Sequence, residues 1–264
     1  VKQRSGGRTR IVFLGRTWAA ASRFDLVVTT PQYRLRPAAN IVENPLTLHR
    51  IGAAALVEAG EKIADRFPQG RSLTGVLLGG NSGPYRFDRA YARRLARELD
   101  DFARAGDTRL LISSSSRTPP EFFTEFSAQL SDGHEIYDWR SSEPNPYLGI
   151  LAGAEQLIVS ADSIAMISEA VATGKRVLVS EPSFAASPGA WLYDSATSWG
   201  HRRWTRDVSL VHDALLELNL VEWFGARSAD QAKNHSAVTT ATDPDRAVIS
   251  CLDSTVQVIR QRLL

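Results

Sequence analysis

The chain alternates short apolar runs with amphipathic stretches of helical period. Several of the runs are apolar throughout, which is typical of parallel strands that are buried on both faces. This pattern predicts strands at Arg10–Leu14, Asp25–Thr29, Asn40–Glu43, Gly75–Leu78, Arg109–Ser113, His134–Tyr137, Gln156–Ser160 and Arg176–Ser180.

Helices are predicted between the later strands. Asp88–Ala105 has the clearest helical spacing of apolar residues, and Gly106 follows it as a stop. Thr118–Leu130 opens on two prolines, which suit a first helical turn, and Ser163–Thr173 is the next helical stretch. Asp245–Leu264 is expected to be the last helix. Strand and helix alternate, so we expect a parallel sheet that is wound on both faces.

The pattern breaks once, at Pro68–Ser72, after a helical stretch over His49–Phe67. We therefore expect two Rossmann-like, doubly wound α/β domains, residues 1–70 and 71–207. Residues 208–264 are expected to be mostly helical, with the last helix packing back on the first domain. The chain starts without Met and reaches a buried-type strand at once. The first domain is accordingly expected to be truncated at its N-terminus.

Composition narrows the class of protein. Among 264 residues, 43% are hydrophobic and 23% charged, and the net charge is +2, which leaves no global nucleic-acid footprint. No apolar run approaches the roughly 20 residues that span a bilayer. The one cysteine, Cys251, excludes an internal disulfide and a cysteine-ligated metal site, and it fits a reducing, cytoplasmic compartment.

The first candidate loop is GGNS, Gly79, Gly80, Asn81 and Ser82, which follows a strand and shortly precedes a helix. Glycines allow close backbone approach, and amides near a helix start bind anions. The loop is either a phosphate-binding loop or an ordinary tight turn between strand and helix.

A second polar loop, SSSSRT, follows the next strand and contains Ser115, Arg117 and Thr118. The planar guanidinium of arginine can contact phosphate through two parallel hydrogen bonds. A serine-rich helix cap would explain the serines and Pro119, but not Arg117.

A third loop, SADSIAMISEA, ends a strand at Asp162 and Ser163 and begins a helix. Glu169 lies about two turns into that helix, beside small residues, where a carboxylate can accept hydrogen bonds from two ribose hydroxyls. Alternatively, Glu169 belongs to a solvated helix face. The carboxyl ends of parallel strands meet at one edge of a sheet, so the three loops are expected to converge there.

These motifs carry a resemblance. The segment NPYLGILAGAEQLIVSADSIAMISEAVATGKRVLVSEP resembles the nucleotide-sugar half of GT-B glycosyltransferases. The whole chain is similar to the mitochondrial fission (elongated-mitochondria) family, whose bacterial members are often described as nucleoside-diphosphate-sugar epimerase-like or as glycosyltransferases. The matching features are FDLVVTTPQYRL, LHR, GGNS, SSSSRTP, NPYLGILAGA and SADSIAMISEAVATGK. The chain departs from the family pattern at Thr30–Tyr33 and at Ser116.

The resemblance implies a GT-B-like fold and a glycosyltransferase that uses a nucleoside-diphosphate sugar as substrate, with no cofactor and no metal. It implies a substrate site in which the glycine loop and Arg117 face the diphosphate, Glu169 holds the ribose, and the backbone around Trp139 meets the base. The full set of implied substrate-binding residues is Gly79, Gly80, Asn81, Ser82, Ser115, Arg117, Thr118, Trp139, Asp162, Ser163, Met166 and Glu169.

Three further features of the sequence each have two interpretations. His49, between the two domains, is a candidate base for an acceptor hydroxyl, or a structural histidine. Asp243 and Asp245 match a D-x-D metal motif, but they precede a helix and are better explained as a cap. Ser198–Arg206 mixes Trp with Arg and is either a solvated loop or a contact to an anionic membrane surface or a lipid-linked acceptor.

The same resemblance allows a second function. Eukaryotic relatives are associated with recruiting a division dynamin to mitochondria, which requires a surface rather than chemistry. The chain could then be a non-catalytic adaptor that retains a nucleotide site. An epimerase is disfavoured, because the chain has no G-x-G-x-x-G after a strand and no Tyr-x-x-x-Lys pair.

Overall fold

The structure is a computed structural model, and it describes residues 2, 4–64, 72–184, 206–225 and 255–261. Two parallel sheets and the helices beside them form an α/β fold. The α/β class expected from the sequence is confirmed.

The first sheet has three short parallel strands in the order β1-β2-β3. These are β1 (Val12–Leu14), β2 (Leu26–Thr29) and β3 (Ile41–Glu43), and β2 is buried along its whole length. Each strand lies within a predicted one, shortened at its N-terminal end.

The second sheet has six parallel strands in the order β11-β9-β8-β4-β6-β7. A separate antiparallel pair, β5 with β10, joins two strands of two residues each. The strands are β4 (Ser72–Leu77), β5 (Tyr85–Arg86), β6 (Thr108–Ser113), β7 (Glu135–Tyr137), β8 (Gln156–Ser160), β9 (Arg176–Ser180), β10 (Ser183–Phe184) and β11 (Glu222–Trp223).

Helices cover both faces of the six-stranded sheet. This arrangement buries the apolar side chains that its strands carry on both faces. Leu110 and Ile112 of β6 belong to one core with the apolar residues of α2 and α3, while Leu111 belongs to the opposite core with those of α4 and α5. The helices are α1 (Ala53–Ala64), α2 (Arg89–Ala105), α3 (Pro120–Gln129), α4 (Tyr147–Gly153), α5 (Ile164–Val171), α6 (Ser209–Glu217) and α7 (residues 255–261).

The order of the strands creates a switch point in the middle of the sheet. From β4 the chain adds β6 and β7 on one side, then crosses over through α4 and adds β8, β9 and β11 on the other. The connections therefore diverge between β4 and β8. In open α/β sheets the crevice at such a point, outside the carboxyl ends of the strands, is where ligands bind.

Three strands were not predicted from the sequence, and neither was helix α4. β11 lies in the part expected to be mostly helical, and β5 and β10 lie in predicted loops. Each has only two residues, which is too short for an apolar alternation to be visible. They form because a neighbour offers a pairing edge, as β9 does for β11.

The first sheet is bonded to the rest of the chain at several places. The Thr47 amide donates to Ser168 Oγ of α5 over 2.9 Å, and the Asp207 amide donates to the Gln32 carbonyl over 3.0 Å. Asn44, just after β3, donates to Thr255 Oγ1 of α7. Helix α1, within the range predicted as the first domain, packs on α4 of the second sheet. The domain boundaries stay a prediction.

Candidate functional site

The three polar loops singled out from the sequence meet at the carboxyl edge of the second sheet, around the switch point. The loop after β4 contains Gly79 and Gly80, the loop after β6 contains Arg117, and the loop after β8 contains Asp162. The three loops are in direct contact. The first loop is hydrogen-bonded to each of the other two, and an ion pair joins the second loop to the third.

The two glycines are packed against the neighbouring loops. A Cβ on Gly79 would lie 2.3 Å from the Asp162 carboxylate oxygens, and a Cβ on Gly80 would lie 1.8 Å from the carbonyl oxygen of Arg117. The Gly79 amide donates to Ser160 Oγ over 2.8 Å, and the Gly80 amide donates to Asp162 Oδ2 over 3.0 Å. Glycine is therefore needed here for close approach of other parts of this chain, and both amides have protein acceptors.

Asp162 is the centre of this junction. Its side chain is fully buried. It accepts hydrogen bonds from the Gly80 amide and from Ser160 Oγ at 2.7 Å, and it forms an ion pair with Arg117 Nη1 at 2.9 Å. Burial raises the pKa of the Asp162 carboxyl, although each of these bonds acts in the opposite direction. The pair keeps one end of the Arg117 guanidinium fixed, while 41% of the Arg117 side chain is exposed at the sheet edge.

Ser115 and Thr118 hold the second loop against the first. Ser115 Oγ donates to the Gly79 carbonyl over 3.0 Å, and the Thr118 hydroxyl donates to the same carbonyl. The Ser115 amide donates in turn to Thr118 Oγ1. Both hydroxyls thus position the loop that carries Arg117.

Asn81 and Ser82 complete the first loop. Asn81 Oδ1 accepts the Phe87 amide at 2.8 Å, which fixes the turn into α2, and the Asn81 side chain is exposed. Ser82 Oγ accepts a hydrogen bond from Arg206 Nη2 at 2.6 Å. Arg206 is a cation beside the site that the sequence analysis did not assign to it. Its position in the arginine-rich Ser198–Arg206 stretch was the available signal.

Helix α5 supplies the remaining side of the edge. Ser163 occupies the N-cap position, but its side chain makes no capping bond. The first amides of any α-helix lack intrahelical acceptors and carry the positive end of the helix dipole. Met166, one turn further, is partly buried against the core below.

Glu169 is bonded within the protein. Its Oε2 accepts a hydrogen bond from the Tyr147 hydroxyl at the start of α4. Burial and the neighbouring Glu169 carboxylate raise the pKa of the Tyr147 hydroxyl, which keeps it a hydrogen-bond donor. Neither interpretation of Glu169 from the sequence included this partner, although Tyr147 lies in the NPYLGILAGA motif.

Two predicted site residues lie apart from the junction. Trp139 follows β7 at the sheet border, where its amide donates to Ser114 Oγ over 3.0 Å and its side chain is 41% exposed. His49 follows the first sheet, and neither of its ring nitrogens, both buried, has a hydrogen-bond partner among the described residues. Residues 198–205 and the Asp243/Asp245 motif lie outside the described residues.

The described part of the chain has no metal-ligand cluster and no membrane-spanning helix. No group of three or more His, Cys, Asp or Glu side chains there could hold a metal ion. Nor does any helix in those ranges have the length and apolar character needed to cross a bilayer.

Comparison with known families decides where this sequence belongs. A family model described as mitochondrial fission ELM1 matches residues 1–246. The chain belongs to the mitochondrial fission ELM1 family. The mitochondrial fission protein ELM1 of Arabidopsis thaliana is 34% identical over 148 residues, which are 54% of this chain and 34% of that protein. An uncharacterised protein of Rickettsia prowazekii is 29% identical over 126 residues, 47% of this chain and 36% of that protein. The matches thus span about a third of the length of these two relatives.

Two solved structures that resemble this chain are a glycosyl transferase and a trehalose-phosphate synthase. A family 9 glycosyl transferase from Veillonella parvula gives a TM-score of 0.46 at 11% identity, covering 99% of this ELM1-family chain and 76% of the other. An α,α-trehalose-phosphate synthase from Burkholderia xenovorans gives 0.46 at 12% identity, covering 99% and 69%. The fold of this chain is defined by its strand order.

Proposed function

We propose that this chain provides the donor half of a glycosyltransferase, which binds a nucleoside-diphosphate sugar at the carboxyl edge of the six-stranded sheet. The observation that carries the proposal is the junction of Gly80, Arg117 and Asp162. It lies at the switch point between β4 and β8, where parallel α/β sheets bind their ligands.

Arg117 is the residue best suited to the diphosphate. Its guanidinium has five donors in a rigid fork, and the bond to Asp162 engages one end of that fork. The exposed remainder lies next to the start of α5, whose first amides favour an anion. A diphosphate placed there would receive charge-assisted hydrogen bonds from Arg117 and backbone bonds from α5, while Arg206 beside Ser82 adds positive charge.

The assignment of ribose to Glu169 is compatible with the Tyr147 contact. Tyr147 donates to Oε2, so the ribose hydroxyls would be accepted at Oε1. In this arrangement Tyr147 orients the carboxylate and Glu169 contacts the ligand.

The chemical step follows from these placements. An oxygen of the acceptor, a saccharide or lipid-linked hydroxyl, bonds to the anomeric carbon, and the bond from that carbon to the diphosphate oxygen breaks. The diphosphate leaves with its electron pair, and Arg117 with the α5 amides stabilises that charge. The acceptor proton passes to a base, for which His49 is the candidate since both its ring nitrogens lack a partner among the described residues.

A second function is favoured by a specific observation. The Gly79 and Gly80 amides, which a phosphate-binding loop would offer to its ligand, already donate to Ser160 and Asp162. The loop can therefore be a packing junction with no ligand. Together with membership in a family named for mitochondrial fission, this supports a non-catalytic adaptor that acts through its surface.

Calorimetric titration with uridine and guanosine diphosphates tests the donor site. We expect wild type to bind at least one of them and Arg117→Ala to weaken binding by about 1.5–3 kcal/mol, the scale of a charge-assisted hydrogen bond. Arg93→Ala is the matched control, because Arg93 is likewise exposed and paired with a carboxylate, Glu125, but lies on α2. Its affinity should equal that of wild type.

Two further measurements separate the outcomes. Arg117→Ala leaves a buried carboxylate unpaired, so urea unfolding must accompany it, and Arg117→Lys keeps the charge without the fork. Absence of heat with either nucleotide, or equal affinity in wild type and Arg117→Ala, would contradict the donor site. Nucleotide binding without hydrolysis or transfer from any nucleotide sugar would favour the adaptor.

A further inference from the structure

The solvent side of α2 is rich in arginine over the first nine residues of the helix. The exposed residues there are Arg89, Ala90, Arg93, Arg94 and Arg97, and no carboxylate is exposed within that stretch. Arg89, Arg93 and Arg97 follow one another at intervals of four, so they lie along one side of the helix, about 6 Å apart along its axis. We call these three residues the arginine stripe.

The stripe is unfavourable for the helix that carries it. The start of a helix is the positive end of its dipole, where a cation is disfavoured, and like charges at intervals of four repel each other. No acidic residue lies in the first turn of α2, although Asp88 precedes it as the N-cap and accepts the Tyr91 amide. Helix stability therefore does not explain the stripe. Residues that break such a local rule are expected at functional positions.

Most hydrogen-bond donors of the stripe are available to a partner. Arg93 Nε donates to Glu125 Oε1 of α3 over 2.6 Å, and Arg97 Nε donates to the Arg93 carbonyl over 3.1 Å. Among the described residues the Arg89 side chain has no hydrogen-bond or ion-pair partner, and Glu125 acts on it only through space. Because each guanidinium has five N–H donors, these contacts use a minority of them.

The surroundings of the stripe favour a protein as the partner. None of the large apolar side chains that are exposed in the described ranges is on α2, so the stripe has no group to insert into a bilayer. The net charge of the chain is only +2, which is not the footprint of a nucleic-acid-binding protein. Carboxylates pair well with guanidinium groups, and the Arg93–Glu125 pair already joins a carboxylate of one helix to an arginine of another.

We propose that the arginine stripe docks an acidic helix of another protein, whose carboxylates recur at intervals of four. Such carboxylates are also about 6 Å apart along their helix axis, so the two rows match when the helices lie side by side. Each carboxylate would bond to the exposed guanidinium of one stripe residue. The stripe includes none of the residues of the donor site, so the inference does not depend on nucleotide binding.

The test is fluorescence anisotropy of a labelled, alanine-rich peptide of roughly 20 residues, about 30 Å long as a helix, with Glu at every fourth position. A second peptide has the same residues in an order that spreads the glutamates around the helix. The first peptide should bind the full chain saturably, and the second more weakly. Binding should weaken as salt is added, because the contacts are exposed. Arg97→Glu should weaken binding about tenfold or more, the loss of one charge-assisted hydrogen bond.

Arg23→Glu is the matched control, because it makes the same change of charge outside α2. The Arg23 side chain is likewise exposed and without a hydrogen-bond or ion-pair partner in the described part of the chain, but it lies just before β2 of the first sheet. This variant should bind the first peptide like wild type.

Arg89→Gln separates a docking role from a structural one. It should weaken peptide binding, while the urea midpoint of the free protein should equal or exceed that of wild type, because α2 loses an unfavourable charge at its start. An arginine that serves the fold would instead lower the midpoint when replaced.

The proposal is overturned if the first peptide does not bind, if both peptides bind equally, or if Arg97→Glu binds like wild type. Equal weakening by Arg23→Glu would show that only the total charge matters. Tighter binding of an oligothymidine strand would show that the stripe binds nucleic acid, and tighter binding of phosphatidylserine vesicles would show that it binds a membrane. A lower urea midpoint for Arg89→Gln would show that the stripe stabilises the fold. Each of these results also contradicts the proposal.

Discussion

At the scale of single residues, the glycine pair shows how one sequence feature can have two physical causes. Gly79 and Gly80 were expected to allow a ligand to approach the backbone. In the structure the groups that approach are the Asp162 carboxylate and the Arg117 carbonyl. Both causes require the absence of a Cβ. The sequence alone does not distinguish them, because Arg117 and Asp162 are distant in sequence from the two glycines.

Substitution of Gly80 should therefore destabilise the protein even without ligand. We expect Gly80→Ala to lower the free energy of unfolding by about 3 kcal/mol, since its Cβ would overlap a backbone carbonyl that cannot rotate away. Gly60→Ala, in the middle of α1 with its nearest contact at 3.4 Å, should raise it by about 0.5–1 kcal/mol. Urea unfolding of the two variants measures both effects. Equal stability of Gly80→Ala and wild type would show that the loops are not in contact.

At the scale of secondary structure elements, the Tyr147–Glu169 hydrogen bond joins two short helices. Tyr147 is the first residue of α4, and Glu169 lies within α5. The sequence placed Glu169 on a helix near the candidate site, but it did not indicate which element would face it. The crossover from β7 to the far side of β4 brings α4 against α5, and only that topology makes the contact.

A double-mutant cycle with Tyr147→Phe and Glu169→Ala separates this bond from ribose binding. We expect a coupling energy of about 1–2 kcal/mol in the free energy of unfolding, because a hydrogen bond to a carboxylate is lost in either single variant. Titration with a ribonucleotide and its 2′,3′-dideoxy analogue then reports on the ligand.

If Glu169 holds the ribose, wild type and Tyr147→Phe should prefer the ribonucleotide, and Glu169→Ala should lose most of that preference. If all three proteins discriminate equally, Glu169 only joins the two helices.

At the scale of the whole molecule, two consecutive residues connect the strand ends of both sheets. Arg206 donates to Ser82 in the glycine loop, while Asp207 bonds to Gln32 through its amide and to Arg34 through its carboxylate. The candidate donor site and the carboxyl edge of the first sheet are thus linked by one short segment of chain.

Metal independence is a prediction for the whole protein. In the described ranges no cluster of His, Cys, Asp or Glu could hold an ion, and Arg117 with the helix amides is available for the diphosphate charge. The free energy of nucleotide binding should therefore change by less than about 1 kcal/mol when a chelator is added. Loss of an electrostatic contact between a metal ion and the phosphate would change it by more than that. Loss of transfer activity with a chelator and its return with Mn²⁺ would disprove this.

The sequence by itself determined the α/β class, the positions of the main strands and helices, and the shared sheet edge of the three polar loops. It could do so because these follow from local patterns: strands buried on both faces are apolar throughout, helices repeat every 3.6 residues, and parallel strands end on the same side. Only the tertiary structure decided what lies against what. Three contacts join residues that are distant in sequence: Gly80 with Asp162, Tyr147 with Glu169, and Arg206 with Ser82. The two-residue strands are too short to show a pattern. Their formation depends on how the sheets and helices pack, which no local sequence pattern encodes.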